Sequence, residues 1–173
     1  WPNAPTIIPN PDASGINTSA NVAEFIRTNE QWAHTSSILP GKIDFTTGSI
    51  FKVKVWSPIT CQVLFKLEDQ NNGGTFTEVM GNVTTPNTWV ELTYDFSGAQ
   101  SLVYDKIVIF FDFAQTTDNT FYFDDVEGPE YIEGGTSSEV DLPVTFDDEE
   151  VNYALADFGG NDSEIVTDPT NEN

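Results

Sequence analysis

The chain has 173 residues, with 28 Asp and Glu against six Lys and Arg, and a formal charge of −22. Such a charge repels nucleic-acid phosphates and anionic membranes, which excludes both as partners. It favours solubility, tolerance of salt and affinity for calcium, whose ligands are carboxylate and carbonyl oxygens. Thirteen Phe, five Tyr and four Trp suffice for the core of one well-buried domain. Cys61 has no second cysteine to pair with and reads as a small buried residue. No apolar run approaches the roughly 20 residues that cross a bilayer, so membrane insertion is not expected. The opening WPNAPTIIPN lacks the basic start and apolar centre of a signal peptide, and the chain reads as a soluble, processed or excised piece.

In chain order, Trp1 to Asn21 carry four Pro among Asn, Ser and Thr, with only Thr6 to Ile8 suggesting a short strand. Asn21 to Thr28 (NVAEFIRT) reads as a strand anchored by Val22 and by Phe25 or Ile26, and Asn29 to Leu39 places an aromatic in a polar setting. Ile43 to Phe45 continues the strand series. Ser49 to Asp69 then alternates twice: Phe51, Val53 and Val55 against Lys52, Lys54 and Trp56, then Val63, Phe65 and Leu67 against Gln62, Lys66 and Glu68. The stretch reads as two strands joined by a turn at Ser57-Pro58, with its polar positions on one shared surface.

Asp69 to Gly74 is a turn, followed by a strand through Phe76, Val79 and Val83. In Thr88 to Phe96, Val90, Leu92, Tyr94 and Phe96 go inward while Trp89, Glu91, Thr93 and Asp95 go outward. Lys106 to Phe113 is nearly all apolar, as a central strand would be, and Thr120 to Val126 closes the series. Strands separated by turns, with no helical period, predict an all-β fold: an antiparallel β-sandwich of jelly-roll type. Its span is residues 1–127, followed by a Gly-, Ser- and acid-rich linker over 128–140. Ile165 to Asn173 repeats the pattern of Ile7 to Gly15, which makes 141–173 the opening of a second repeat cut out of frame.

The ordered set PVTFDDEE, DFGG, IVTDPTN, QWAHTSSI, KVWSP, FKLED, TWVELTYDF, IVIFFDF and FYFDDV resembles the β-sandwich modules found, often in tandem, in polysaccharide-degrading enzymes and surface proteins of bacteria. It is similar to carbohydrate-binding modules of the galactose-binding-like jelly-roll group, over about Thr6 to Val126 and again over Pro143 to Asn171. The resemblance implies a noncatalytic module that captures glycan, outside the cell or on the surface of a bacterium. It also implies that the usual first strand is missing before Trp1, which would leave an edge unpaired. Val144 to Phe158 is then the segment expected to complete a sandwich, on its own chain or on a neighbouring repeat or copy. The plainer alternative leaves those residues in a truncated second module.

Similar modules bind a structural calcium through an Asp at the end of the last strand. Asp125 is that ligand here, with Asp147, Asp148 or Glu149 as partners if the second-unit strand completes the site. The equal alternative is carboxylates simply solvated at a strand end. Asp69 to Gly74 starts like a calcium loop, but Met80 stands where the twelfth-position acid is required, so it is no EF-hand.

For sugar stacking the aromatic candidates are Trp32, Trp56 and Trp89, because the C–H face of a pyranose packs on indole. Core packing is the alternative for each. Lys54, Gln62, Lys66, Glu68, Glu91 and Asp112 are the candidate hydroxyl readers, against the alternative of a cross-strand charge ladder worth about 0.2–1 kcal/mol per pair. Catalysis has little basis: His34 is the one histidine, and no nucleophile elbow or Walker loop occurs. The rival from another class is a structural repeat of a surface adhesin or filament, linked by its C-terminal segment.

Overall fold

The computed structural model describes residues 4–133. Eleven strands occur there: β1 (Thr6–Pro9), β2 (Asn21–Ile26), β3 (Thr35–Ile38), β4 (Gly41–Ile43), β5 (Ile50–Trp56), β6 (Cys61–Asp69), β7 (Asn72–Val83), β8 (Trp89–Asp95), β9 (Lys106–Phe111), β10 (Thr120–Glu127) and β11 (Tyr131–Glu133). They form a five-stranded sheet in the order β1-β2-β10-β5-β8, a four-stranded sheet β3-β9-β6-β7 and a small pair β11-β4. Every ladder among the described residues is antiparallel. The expected antiparallel β-sandwich of jelly-roll type is the fold, and no helix among these residues is long and apolar enough to cross a membrane.

The core follows from alternation. Phe51, Val53 and Val55 of β5, Leu92 and Tyr94 of β8, and Phe25 and Phe121 of β2 and β10 meet Val63, Phe65 and Leu67 of β6 and Ile109 and Phe111 of β9 between the sheets. Burying each such side chain is worth about 1.5–3 kcal/mol. Phe25, not Ile26, is the anchor in β2, since Ile26 is 59% exposed. Tyr94 packs so closely on β7 that a Cβ at Gly81 would lie 2.8 Å from its hydroxyl, which donates to the Val63 carbonyl at 3.3 Å.

Two expectations are corrected. Ser49 to Asp69 is not a hairpin: β5 and β6 belong to opposite sheets, and Ser57 to Thr60 carry the chain from one to the other. Ser57, fully buried, stabilises the crossing, with its hydroxyl donating to the Ile59 carbonyl at 2.7 Å. Outward positions of β5 and β6 therefore face opposite sides of the molecule. The true hairpin is β6-β7, turning at Gln70-Asn71. The linker assigned to 128–140 also yields: Tyr131–Glu133 pair with Gly41–Ile43, so the module continues past residue 127. Val144 to Phe158 and the second repeat lie outside the described residues.

Asp105 ties the β3-β4 end together. Its carboxylate accepts from the Gln70 backbone (2.8 Å), the Gln70 amide (3.0 Å) and Lys42 Nζ (2.8 Å). Burial opposes its ionisation, but the bonds from Lys42 and Gln70 outweigh it and hold the carboxyl below its usual range. A folded value below the unfolded one means the contribution is present above the unfolded pKa, near 3.9, and is lost as pH falls through the folded value. Asp105→Asn should therefore cost about 1.5–3 kcal/mol at neutral pH. In thermal melts at a series of pH values, the gap from wild type should close below about pH 4; a gap independent of pH would refute this.

Candidate functional site

The outer face of the four-stranded sheet has a composition that a solvated sheet surface lacks. Leu64 of β6 and Val108 and Phe110 of β9 point away from the main core, yet are buried, and with Met80 and Phe113 they form a second apolar cluster. Strand register explains the grouping: Val108 lies opposite Lys66, while Phe110, Leu64 and Met80 make one row across β9, β6 and β7. Rings continue that row. His34 packs on Phe110 at 5.0 Å, Phe110 on Phe113 at 5.6 Å and Phe113 on Trp32 at 5.6 Å. Trp32 is 54% exposed at one end of the face, and Phe76, 47% exposed, stands towards the other.

Polar groups flank this floor. Glu68 bridges Lys66 at 2.7 Å and Lys106 at 2.8 Å, and the Lys66 ammonium lies 4.1 Å from the centre of the Phe76 ring. Burial opposes ionisation of Glu68, but bonds from Lys106 and Lys66 outweigh it and keep its carboxyl below the usual value. His34 Nδ1 meets the Trp32 carbonyl at 2.9 Å, and burial pulls its pKa below the ordinary imidazole value, so the ring is largely neutral near pH 7. The result is a nearly charge-balanced face with an apolar, aromatic floor.

Of the sequence candidates, Trp32, Gln62, Lys66 and Glu68 lie on this side. Trp56, Trp89, Lys54 and Glu91 lie on the outer face of the five-stranded sheet, where Trp56 is directly opposite Trp89 and Lys54 opposite Glu91. The Trp56–Trp89 end of that face is covered, while Lys52 and Glu91 pair at 3.1 Å in the open. The β1-β2 connection folds back, with Asn10 N–H donating to the Ala20 carbonyl at 2.9 Å, and lies across the indoles. Trp89 Nε1 donates to the Asp12 carbonyl at 2.7 Å and Trp56 Nε1 to the Asp12 carboxylate at 3.2 Å. Asn17, fully buried, donates to Asp124 at 3.1 Å. Trp89 is only 5% exposed and serves packing, while Trp56, half-buried, packs on Tyr122 at 5.3 Å and is held by Asp12.

The remaining candidates have other partners. Asp112 is buried and accepts from the Thr117 hydroxyl at 2.5 Å. Asp125 is ion-paired with Lys54 at 2.5 Å, and no three metal-ligating side chains cluster among the described residues. Asp147, Asp148 and Glu149, the expected calcium partners of Asp125, lie outside the described residues.

Sequence reasoning missed Leu64, Val108, Phe110, Phe113 and Phe76 as parts of a face. The available signal was KIVIFFDF, apolar at both parities, whose second set needs a floor outside the main core.

Beyond the Trp32 end of this face lies an open cleft of about 710 Å³, where Gln62 and Asn82, cross-strand partners, meet Phe113, Gln115 and Thr117. One wall is the Asp112–Asn119 connection, clamped from beneath by Arg27. This arginine is 1% exposed and gives its donors to carbonyls: Nε to Phe111 (3.0 Å), Nη1 to Thr28 (3.0 Å) and Thr117 (2.6 Å), Nη2 to Gln31 (3.4 Å) and to Gln115.

No protein-family model matches the chain, and no curated protein matches it. Among solved structures it is similar to the N-terminal CBM22-1–GH10 modules of Clostridium thermocellum endo-1,4-beta-D-xylanase 10B complexed with xylohexaose, at 17% identity and TM-score 0.49, over 70% of this chain and 23% of that one. A family 30 carbohydrate-binding module matches at 10% identity and TM-score 0.46, over 80% of this chain and 81% of that one. A family 16 carbohydrate-binding module matches at 11% identity and TM-score 0.39, over 73% and 86%. The chain thus spans about a quarter of the xylanase structure and most of each separate module.

Proposed function

We propose that the chain is a noncatalytic polysaccharide-binding module of an extracellular or cell-surface protein, and that it takes a neutral glycan on the outer face of the four-stranded sheet. The observation that carries this reading is exposed Trp32, packed on half-buried Phe113 and through it on buried Phe110, beside the Lys66–Glu68–Lys106 cluster. A sugar ring needs an apolar surface for its C–H face and fixed donors and acceptors for its hydroxyls, and on this face the exposed rings of Trp32 and Phe76 stand with the Lys66–Glu68–Lys106 groups. Gln62 to Glu68 span about 20 Å at the rise of a strand, room for several rings. The glycan is neutral because the two lysines are matched by Glu68 and by exposed Glu78, opposite Lys66, while the chain as a whole carries −22 and repels polyanions.

Trp32→Ala should weaken binding roughly 10- to 100-fold in affinity electrophoresis on neutral plant and marine glucans. Its melting temperature should stay near wild type, because the indole is exposed. Raising the salt should change retention little, and anionic polysaccharides should give none. If wild-type protein is retarded on no glycan at all, the binding reading fails and a structural spacer in an adhesin or filament takes its place.

A further inference from the structure

We propose that the cleft at the Gln62–Asn82 end of the four-stranded sheet is a second, preformed subsite, receiving the sugars next along the same neutral glycan chain; this rests on the glycan reading of the adjacent face. Three features argue for it. The first is continuity: Phe113 belongs both to the ring row of the face and to the cleft wall, and its backbone N–H donates to the Gln62 carbonyl at 3.0 Å. A chain lying along β6 over Leu64 passes directly into the cleft.

The second is chemistry. The side-chain amides of Gln62, Asn82 and Gln115, all solvent-exposed and with no hydrogen bond to another described residue, line the cleft and are free to meet a ligand. Each amide presents a carbonyl and two N–H donors, the complement of a sugar's vicinal hydroxyls. No ammonium lines the cleft, and its one carboxylate, Asp112, is buried and already bonded to Thr117. The lining suits an uncharged polyhydroxyl ligand and would reject a uronate or a sulfate ester.

The third is rigidity. Asp112 and Ala114 hold left-handed backbone conformations, with φ of 51° and 62°, in a wall whose Phe111, Gln115 and Thr117 carbonyls are fixed by Arg27. Backbone strain of this kind persists where surrounding bonds over-determine it, and a wall so held loses little entropy when a ligand arrives.

The test is calorimetric titration with cello- and laminari-oligosaccharide length series. Wild-type affinity should rise with length until face and cleft are both filled. In the double variant Asn82→Ala/Gln115→Ala, longer oligosaccharides should bind about tenfold more weakly, a difference of about 1.4 kcal/mol, and the gain with length should vanish. Trp32→Ala should weaken binding at every length. A double variant with a wild-type length dependence, beside a Trp32→Ala variant that loses affinity, would overturn the cleft and leave the face standing. Flat wild-type titrations at all lengths would overturn both.

Discussion

Replacing Arg27 by Met is expected to remove about 3–5 kcal/mol of stability, the scale for breaking a buried charged network, and to lower the melting temperature on the order of 10 °C. Methionine keeps the unbranched stem but stops short of the guanidinium, so a small void at its end adds to the loss. The loss comes from the carbonyls of Thr28, Gln31, Phe111, Gln115 and Thr117, which lose a common donor. An unpaired buried carbonyl costs about 1–3 kcal/mol, with relaxation and water recovering part of the sum. Burial pulls the guanidinium pKa down and Asp112 pushes it back up, but the group stays charged at any accessible pH, so the loss should be independent of pH over the neutral range.

Arg27→Lys should recover only a fraction, because one ammonium cannot reach carbonyls that a planar fork meets in several directions. The network also bears on binding. Thr28 and Gln31 lead to Trp32, and Phe111 to Thr117 carry Phe113 and the cleft wall, so a folded Arg27→Lys protein should lose glycan affinity beyond its loss of stability. Urea denaturation beside calorimetry separates the two effects. A destabilisation below about 1 kcal/mol for Arg27→Met would mean that water replaces the guanidinium without penalty.

Period-two alternation made the strands readable, because side chains of a strand must divide between core and solvent. Val53 and Leu92, opposite each other in β5 and β8, were both placed inward by alternation alone. Sheet membership was not readable in the same way. Parity fixes a side chain relative to its own sheet, so Trp56 and Lys66 are both outward yet face opposite sides of the sandwich. Ser57 and Pro58 suit a hairpin turn and an inter-sheet crossing equally well, since both need a short irregular connection.

The cap over Trp56 and Trp89 was hidden for a related reason. Asn10, Asp12, Ser14 and Asn17 bond to one another's backbone, which marks a structured loop, but the surface the loop covers is decided by tertiary contacts. Arg27 left one mark in the sequence: it is the single arginine of a strongly acidic chain, directly after the largely apolar run Val22–Ile26. A long cation there had either to reach solvent or to find buried acceptors, and it found carbonyls.

Trp89→Ala should be as costly as Arg27→Met, about 3–5 kcal/mol, and should leave the glycan face untouched. The indole lies between β8 and the β1-β2 connection, opposite Trp56, so its removal opens a void under Asp12 that the hydrogen-bonded loop cannot readily fill. Trp89→Phe should cost less, keeping most of the packing while losing one hydrogen bond, worth about 1 kcal/mol. The contrast with Trp32 is the sharper test, because the two tryptophans looked alike in sequence and differ in what covers them. Trp89→Ala, measured at a temperature where it is still folded, should bind oligosaccharides like wild type; Trp32→Ala should melt like wild type and bind poorly. If Trp89→Ala instead kept its stability and lost affinity, the capped face would be the binding surface, and the loop from Asn10 to Ala20 would have to open to admit the ligand.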